Sequence, residues 1–113
     1  MVDTKGERKT TVLVVDDEDA VLRALDRQLR KLGGFEVVTT SDAYTAIGIL
    51  QDRHFDIMVC DYLMPGLNGV ELLALARKIQ PRMVAIMLTG CHDISIAAEI
   101  INRKLADFFV SKP

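Results

Sequence analysis

Thr11-Val12-Leu13-Val14-Val15-Asp16-Asp17 decides the fold. A run that is apolar on both faces must be covered on both faces, which is the condition of a strand in a parallel sheet and not of an antiparallel one with a wet side. The run ends in two carboxylates, and the same grammar recurs along the chain. Asp61 closes Ile57-Met58-Val59-Cys60, Thr89 closes Val84-Ala85-Ile86-Met87-Leu88, and Lys112 follows Phe108-Phe109-Val110-Ser111. Strands are expected over about 11–15, 36–40, 56–60, 83–88 and 106–110.

Between these runs the apolar period lengthens to that of a helix. The first helix, about 18–32, places Val21, Leu22, Leu25, Leu29 and Leu32 on one face and stops at Gly33-Gly34. A second, about 42–51, starts after Ser41 as N-cap and presents Ala43, Ala46, Ile47 and Leu50. A third, about 69–78, follows Asn68, carries Val70, Leu72, Leu73, Leu75 and Ala76, and ends before Pro81. The fourth, about 94–104, turns Ile94, Ala97, Ala98 and Ile101 to the core and leaves Ile96 and Ile100 on its other face. Strict alternation of strand and helix gives a doubly wound α/β sheet. Only the fifth strand lacks a following helix, since Lys112-Pro113 ends the sequence.

The 113 residues suffice for one domain, read as a polar tail over 1–10 and a domain over 11–113. A formal net charge of -2, with Lys and Arg dispersed, leaves no basic stripe for nucleic acid. No apolar run is long enough to span a bilayer and Met1–Thr10 has no apolar leader core, so a cytoplasmic protein without a membrane partner is expected. Cys60 and Cys91 are not spaced as a CxxC pair, and Cys60 reads as a small core hydrophobe. His54 and His92 have no ligand spacing and read as surface or loop residues.

In an open parallel sheet, ligands bind outside the carboxyl ends of the strands, where Asp16, Asp17, Asp61, Thr89 and Lys112 would converge. Each has an ordinary reading beside the chemical one. Asp16-Asp17-Glu18 can be the acidic start of a helix, or carboxylates that need a cation beside Asp61; Mg²⁺, which takes one or two carboxylates, keeps waters and meets phosphate, suits that second case. Asp61 can open a turn with Met64-Pro65-Gly66, or act as a carboxylate nucleophile toward phosphorus. Thr89-Gly90 can be a strand-to-loop transition, or a hydroxyl donor to a phosphoryl oxygen with room for its approach. Lys112 can be a solvated lysine, or a fixed cation that stabilises the carboxylate and the transferred group.

Asp16-Asp17, Asp61, Thr89-Gly90 and Lys112-Pro113, with Met64-Pro65-Gly66-Leu67-Asn68-Gly69 after the aspartate, resemble the receiver domain of two-component response regulators. The resemblance spans Thr11 to Pro113. It implies a flavodoxin-like five-stranded sheet of order 2-1-3-4-5 from which this chain lacks the closing fifth helix. It further implies that a sensor histidine kinase or phosphotransfer protein donates a phosphoryl group to Asp61. Mg²⁺ would be held by Asp17, Asp61 and the main-chain carbonyl of Leu63, with Asp16 acting through a metal-bound water. Thr89 and Lys112 would hold the phosphoryl oxygens, Phe109 would switch inward with Thr89, and the Lys112-Pro113 bond would be cis. Leu63 and Cys91, at the positions that tune hydrolytic water in this family, are poor water-orienting groups.

The resemblance makes the chain a signalling switch and not a turnover enzyme, with an output domain expected beyond it. Two other functions compete. A dehalogenase-type phosphatase shares the aspartyl nucleophile but needs an acid where Leu63 stands, and a phosphorylation-independent interaction module would not need the acceptor residues that are present. Without a fifth helix, Phe108 and Val110 should lie bare, and a homodimer is expected to form through them or through Ile96 and Ile100.

Overall fold

The computed structural model describes residues 8–62, 64, 67–90, 100 and 103–112. Five strands form one sheet, β1 (Thr10–Val15), β2 (Phe35–Thr40), β3 (Ile57–Asp61), β4 (Val84–Thr89) and β5 (Phe108–Ser111), in the order β2-β1-β3-β4-β5. All neighbours are parallel. The described helices are α1 (Asp19–Leu32), α2 (Ala43–Asp52) and α3 (Gly69–Ile79). This is the flavodoxin-like α/β arrangement expected, with the expected strand order.

Alternation along the strands divides the core in two. Leu13, Val15, Met58, Cys60, Ala85 and Met87 pack with α2 and α3 on one face. Val12, Val14, Val59 and Leu88 pack with Leu22 of α1 on the other, joined by the partly buried Val21, Leu25 and Leu29. Burial of side chains of this size stabilises by about 1.5–3 kcal/mol each, so β1 and β3, covered on both faces, anchor the fold.

Local signals fix the helix ends. Gly33 closes α1 with φ 78°, and its N–H reaches the carbonyls of Leu29 and Arg30, a conformation that costs glycine no side-chain clash. Asn68 caps α3 in a reciprocal capping box with Glu71. The cap of α2 is Asp42 and not Ser41: one Asp42 carboxylate oxygen accepts from both the N–H and the hydroxyl of Thr45 at 2.8 Å. Those two bonds hold the Asp42 carboxyl below its usual range.

Four further expectations are corrected. Leu32 is 76% exposed: it is the last residue of α1, where Gly33 and Gly34 turn the chain into β2 and Gly34 accepts from Thr10 N at 2.9 Å, while Leu29 is the residue of that turn that packs on the core. Leu75, at 40% exposure, lies off the buried stripe of Leu72, Leu73 and Ala76. Ile100, placed on an outer face by its spacing, is fully buried with Leu105 against the α2–α3 side of the core. The fifth strand begins at Phe108 and not near 106, because the Asp107 carboxylate takes the Ala85 N–H at 2.8 Å and the Asp107 N–H takes the Ala85 carbonyl. Arg103 and Lys104 form a turn, with Lys104 at φ 54°. The rest of the expected fourth helix, with Ile96 and Cys91, lies outside the described residues, as do Leu63, Pro65, Gly66 and the Lys112-Pro113 bond.

Candidate functional site

Register brings the polar strand ends together. Val15 pairs with Cys60, which sets Asp16 level with Asp61 on the adjacent strand. Asp61 pairs with Leu88 and Thr89 with Ser111, so Lys112 leaves the sheet two strands away from Asp61. Two inter-strand spacings are about 10 Å, a span that needs the longest cationic side chains.

Lys112 crosses it. Its Nζ stands 3.2 Å from Asp61 Oδ2, 3.2 Å from Asp16 Oδ2 and 2.6 Å from Glu18 Oε1. Its main-chain N–H donates to the Thr89 carbonyl at 3.1 Å, which fixes the root of the side chain. Burial works against the ammonium, but the hydrogen bonds to Glu18, Asp16 and Asp61, with the Asp61 charge, outweigh it and push the Lys112 pKa up.

Asp16 is fully buried. Its Oδ1 accepts the Glu18 N–H at 2.8 Å and the Lys112 ammonium at 3.5 Å. Oδ2 faces the Lys112 charge as an ion pair without hydrogen-bond geometry, and it is a buried oxygen with no donor. Asp61 is buried too, whereas Asp17 and Glu18 are exposed. Oxygen atoms of these four carboxylates lie within 4.8 Å of one another. The cleft above them, about 500 Å³, is lined by Asp17, Glu18, Asp61, Tyr62, Thr89, Gly90 and Lys112. Four formal negative charges against one ammonium, all on hard oxygen donors and with one donor-less oxygen beneath, suit a divalent cation such as Mg²⁺ or Ca²⁺.

The structure thus brings together Asp16, Asp17, Asp61, Thr89 and Lys112. Leu63 lies outside the described residues. Phe109 is half-buried against the α2–α3 side of the core. Cys60, directly beneath, is buried, and burial together with the charges of Asp61 and Asp16 pushes its thiol pKa well up.

Sequence spacing does not show the part that three residues take here, Glu18 being legible only as a helix-start acid or a cation carboxylate and Gly69 only as part of the motif after Asp61. Tyr62 lines the cleft because it is the first residue past the strand that Asp61 ends. Glu18 is the N-cap of α1 by backbone position, but its side chain makes no cap bond and goes to Lys112. Gly69, first in α3, sits so close beneath the end of β3 that a Cβ there would stand 2.6 Å from the Asp61 carbonyl oxygen and 2.8 Å from Tyr62 Cα. Only an unusually tight backbone approach explains that glycine, and its signal in the sequence is its place at the start of an apolar helix.

The response regulator receiver domain model matches residues 12–113. The chain belongs to this family. It is a receiver domain of two-component response regulators. Among curated relatives, the hydrogenase transcriptional regulatory protein HoxA of Cupriavidus necator is 35% identical over 112 residues, covering 96% of this chain and 22% of the relative. The chain therefore spans only about a fifth of that relative's length. A response regulator of Burkholderia pseudomallei, solved with a phosphorylated aspartic acid, calcium ion and citrate, superposes with a TM-score of 0.85 at 25% identity, covering 93% of this chain and 61% of that one. Response regulator TrrA of Thermotoga maritima, solved with Mg²⁺ and BeF, gives a TM-score of 0.80 at 28% identity, covering 92% of this chain and 87% of that one. No helix among the described residues is long and apolar enough to cross a membrane.

Proposed function

We propose that Asp61 is the phosphoacceptor of this receiver, charged by a sensor histidine kinase or phosphotransfer protein, and that the phosphorylated site controls an output domain carried elsewhere in the full protein. The observation that carries this reading is Lys112 Nζ at 3.2 Å from Asp61 Oδ2. A carboxylate oxygen of Asp61 bonds to phosphorus as the bond from phosphorus to the donor breaks, and the donor leaves with the electron pair. Lys112, held from below by the Thr89 carbonyl, faces the oxygens on which charge gathers in that transfer. The Thr89 hydroxyl and Gly90 border the same cleft, which suits donation to a phosphoryl oxygen and its close approach.

Asp16, Asp17 and Asp61, with the Leu63 carbonyl, are the residues we assign to Mg²⁺, Asp17 directly and Asp16 through water. Exposure of Asp17 to the cleft and burial of Asp16 beneath it support that division. Bound Mg²⁺ would neutralise the carboxylates and the phosphoryl oxygens together. Phe109 is the proposed switch, moving with Thr89; it has no hydroxyl, so its positions differ through packing alone. The domain assists its own phosphorylation and is not a turnover enzyme.

Acetyl phosphate with Mg²⁺ should add one phosphate to the intact mass, and Asp61→Asn should abolish the addition. A phosphate retained by the folded variant overturns the assignment of Asp61.

A further inference from the structure

We propose that Glu18 is a positioning residue for Lys112: in the resting site it occupies a face of the ammonium that an incoming phosphoryl group needs, and its release sets the affinity of the site for that group. The inference rests on the reading of Asp61 as the phosphoacceptor.

Three observations lead to it. An ammonium has three N–H donors, and Lys112 faces three carboxylates, of which Glu18 makes the shortest contact at 2.6 Å. A group arriving on Asp61 can engage the ammonium only by displacing one of them. Second, the three differ in what release costs. Asp16 and Asp61 are buried, and Asp16 is also tied to the Glu18 N–H at 2.8 Å. Glu18 has a side chain 59% exposed, against 14% for Lys112, so its carboxylate can turn into water and recover solvation and rotamer freedom. Third, residues at the N-cap usually satisfy the helix through the side chain. Glu18 leaves that to its backbone, whose carbonyl accepts from Val21 and Leu22. Its side chain is bonded to Lys112 instead.

The contact therefore competes with the phosphoryl group for one cation. An exposed ion pair of this kind shifts an equilibrium by about two- to fivefold, and that is the expected size of the effect. Two variants separate the contact from mere repulsion. Glu18→Gln removes the charge, whereas Glu18→Asp keeps the charge but shortens the reach by one methylene.

The test is titration with beryllofluoride at saturating Mg²⁺, followed by the fluorescence of Tyr62, which lines the cleft; the chain has no Trp, and the other tyrosine, Tyr44, is exposed. Binding of Mg²⁺ alone is titrated first in each protein, so that a changed metal affinity is not mistaken for a changed anion affinity. Both variants should bind beryllofluoride about two- to fivefold more tightly than the parent. Heteronuclear NMR of the metal-free protein should show the Lys112 ammonium protected from solvent exchange in the parent and exchanging faster in both variants. Unchanged or weaker anion binding in both variants overturns the proposal, as does tightening confined to Glu18→Gln, which would be simple repulsion. Equal ammonium protection in all three proteins overturns it as well. No beryllofluoride binding by the parent would instead count against Asp61 as acceptor, and so the two failures are distinguishable.

Discussion

Gly69→Ala should damage both stability and phosphorylation, against the helix propensity of the two residues. The new methyl carbon would lie 2.6 Å from the Asp61 carbonyl oxygen, 2.8 Å from Tyr62 Cα and 3.1 Å from Met87 Cε. Ordinary contact begins near about 3.5 Å, so backbone atoms at the end of β3 or the start of α3 must retreat by roughly 0.9 Å. The methionine tip can give way, but the two backbone atoms cannot do so alone, because Gly69 N–H also bonds the Tyr62 carbonyl at 2.8 Å. Overpacking of this kind costs about 1–3 kcal/mol, and alanine recovers about 0.5–1 kcal/mol through propensity and a less flexible unfolded chain. The net loss is about 0–2.5 kcal/mol. Gly48→Ala supplies the control, since Gly48 is exposed within α2 and a Cβ there meets nothing within 4 Å. That variant should gain about 0.5–1 kcal/mol. Urea denaturation followed by circular dichroism measures both. Labelling by acetyl phosphate should fall in the Gly69 variant while it remains folded, because the retreat moves Asp61 relative to Lys112 and a misplacement of about 1 Å costs up to roughly 100-fold. Equal stability gains in the two variants, with unchanged labelling, would refute the argument.

Two further outcomes follow from the opposite end and the far face of the sheet. The Asp56 carboxyl is held below its ordinary value of 3.8 by the Thr11 N–H, against the opposing effect of burial, with help from His54, the Thr11 hydroxyl and Arg8; its contribution to stability is therefore full above 3.8 and lost as pH falls through the lowered folded value. Acid titration of urea stability should show a shallower decline below pH 4 in Asp56→Asn than in the parent, and parallel curves would exclude the carboxylate as a source of acid sensitivity. Phe108 and Val110 are 59% and 47% exposed on the face that α1 covers only over the other strands, so sedimentation of this chain should show concentration-dependent self-association that Phe108→Lys reduces; a parent that stays monomeric at high concentration defeats that expectation.

The parts of the fold that were legible in the sequence are those where one interaction dominates. Val12 to Val15 admit no arrangement that wets one face, and from that the parallel sheet follows. Gly33 is the residue that can take φ 78° at the end of α1 without strain. Where two groups of similar strength compete, sequence spacing could not choose. Ser41 and Asp42 are adjacent and both can cap, and only the geometry that lets one Asp42 oxygen reach the N–H and the hydroxyl of Thr45 decides for the aspartate. Spacing places Ile100 outward, opposite the stripe of Ile94, Ala97, Ala98 and Ile101, but spacing along one helix cannot show what packs beside it, and Ile100 is buried with Leu105. In the site, the residues were visible because each ends or follows a strand. Their partners were not: nothing in the spacing says that Lys112 bonds Glu18, which depends on how far α1 overhangs the strand ends.

The two edges of the sheet are built differently, and the difference bears on how a change at Asp61 travels. At the lower edge, groups with more than one bond tie the strands to their neighbours. Asp56 receives the N–H and hydroxyl of Thr11; Gln80 donates to the carbonyls of Leu50 and Arg53 and accepts from Phe55 N. Arg77 of α3 bonds the carbonyls of Leu105 and Met83 and, at 2.6 Å, the Asp107 carboxylate that also holds Ala85 N. The start of β5 is thus pinned to β4 and α3 by charge-assisted bonds, among the stronger kinds. At the upper edge, β5 continues into Lys112, whose main chain is held by the Thr89 carbonyl and whose ammonium is shared among three carboxylates. A redistribution of those three contacts acts on the upper end of a strand whose lower end is pinned. The response open to it is a tilt or a side-chain repacking near Phe109, half-buried midway between the pinned end and the charged one.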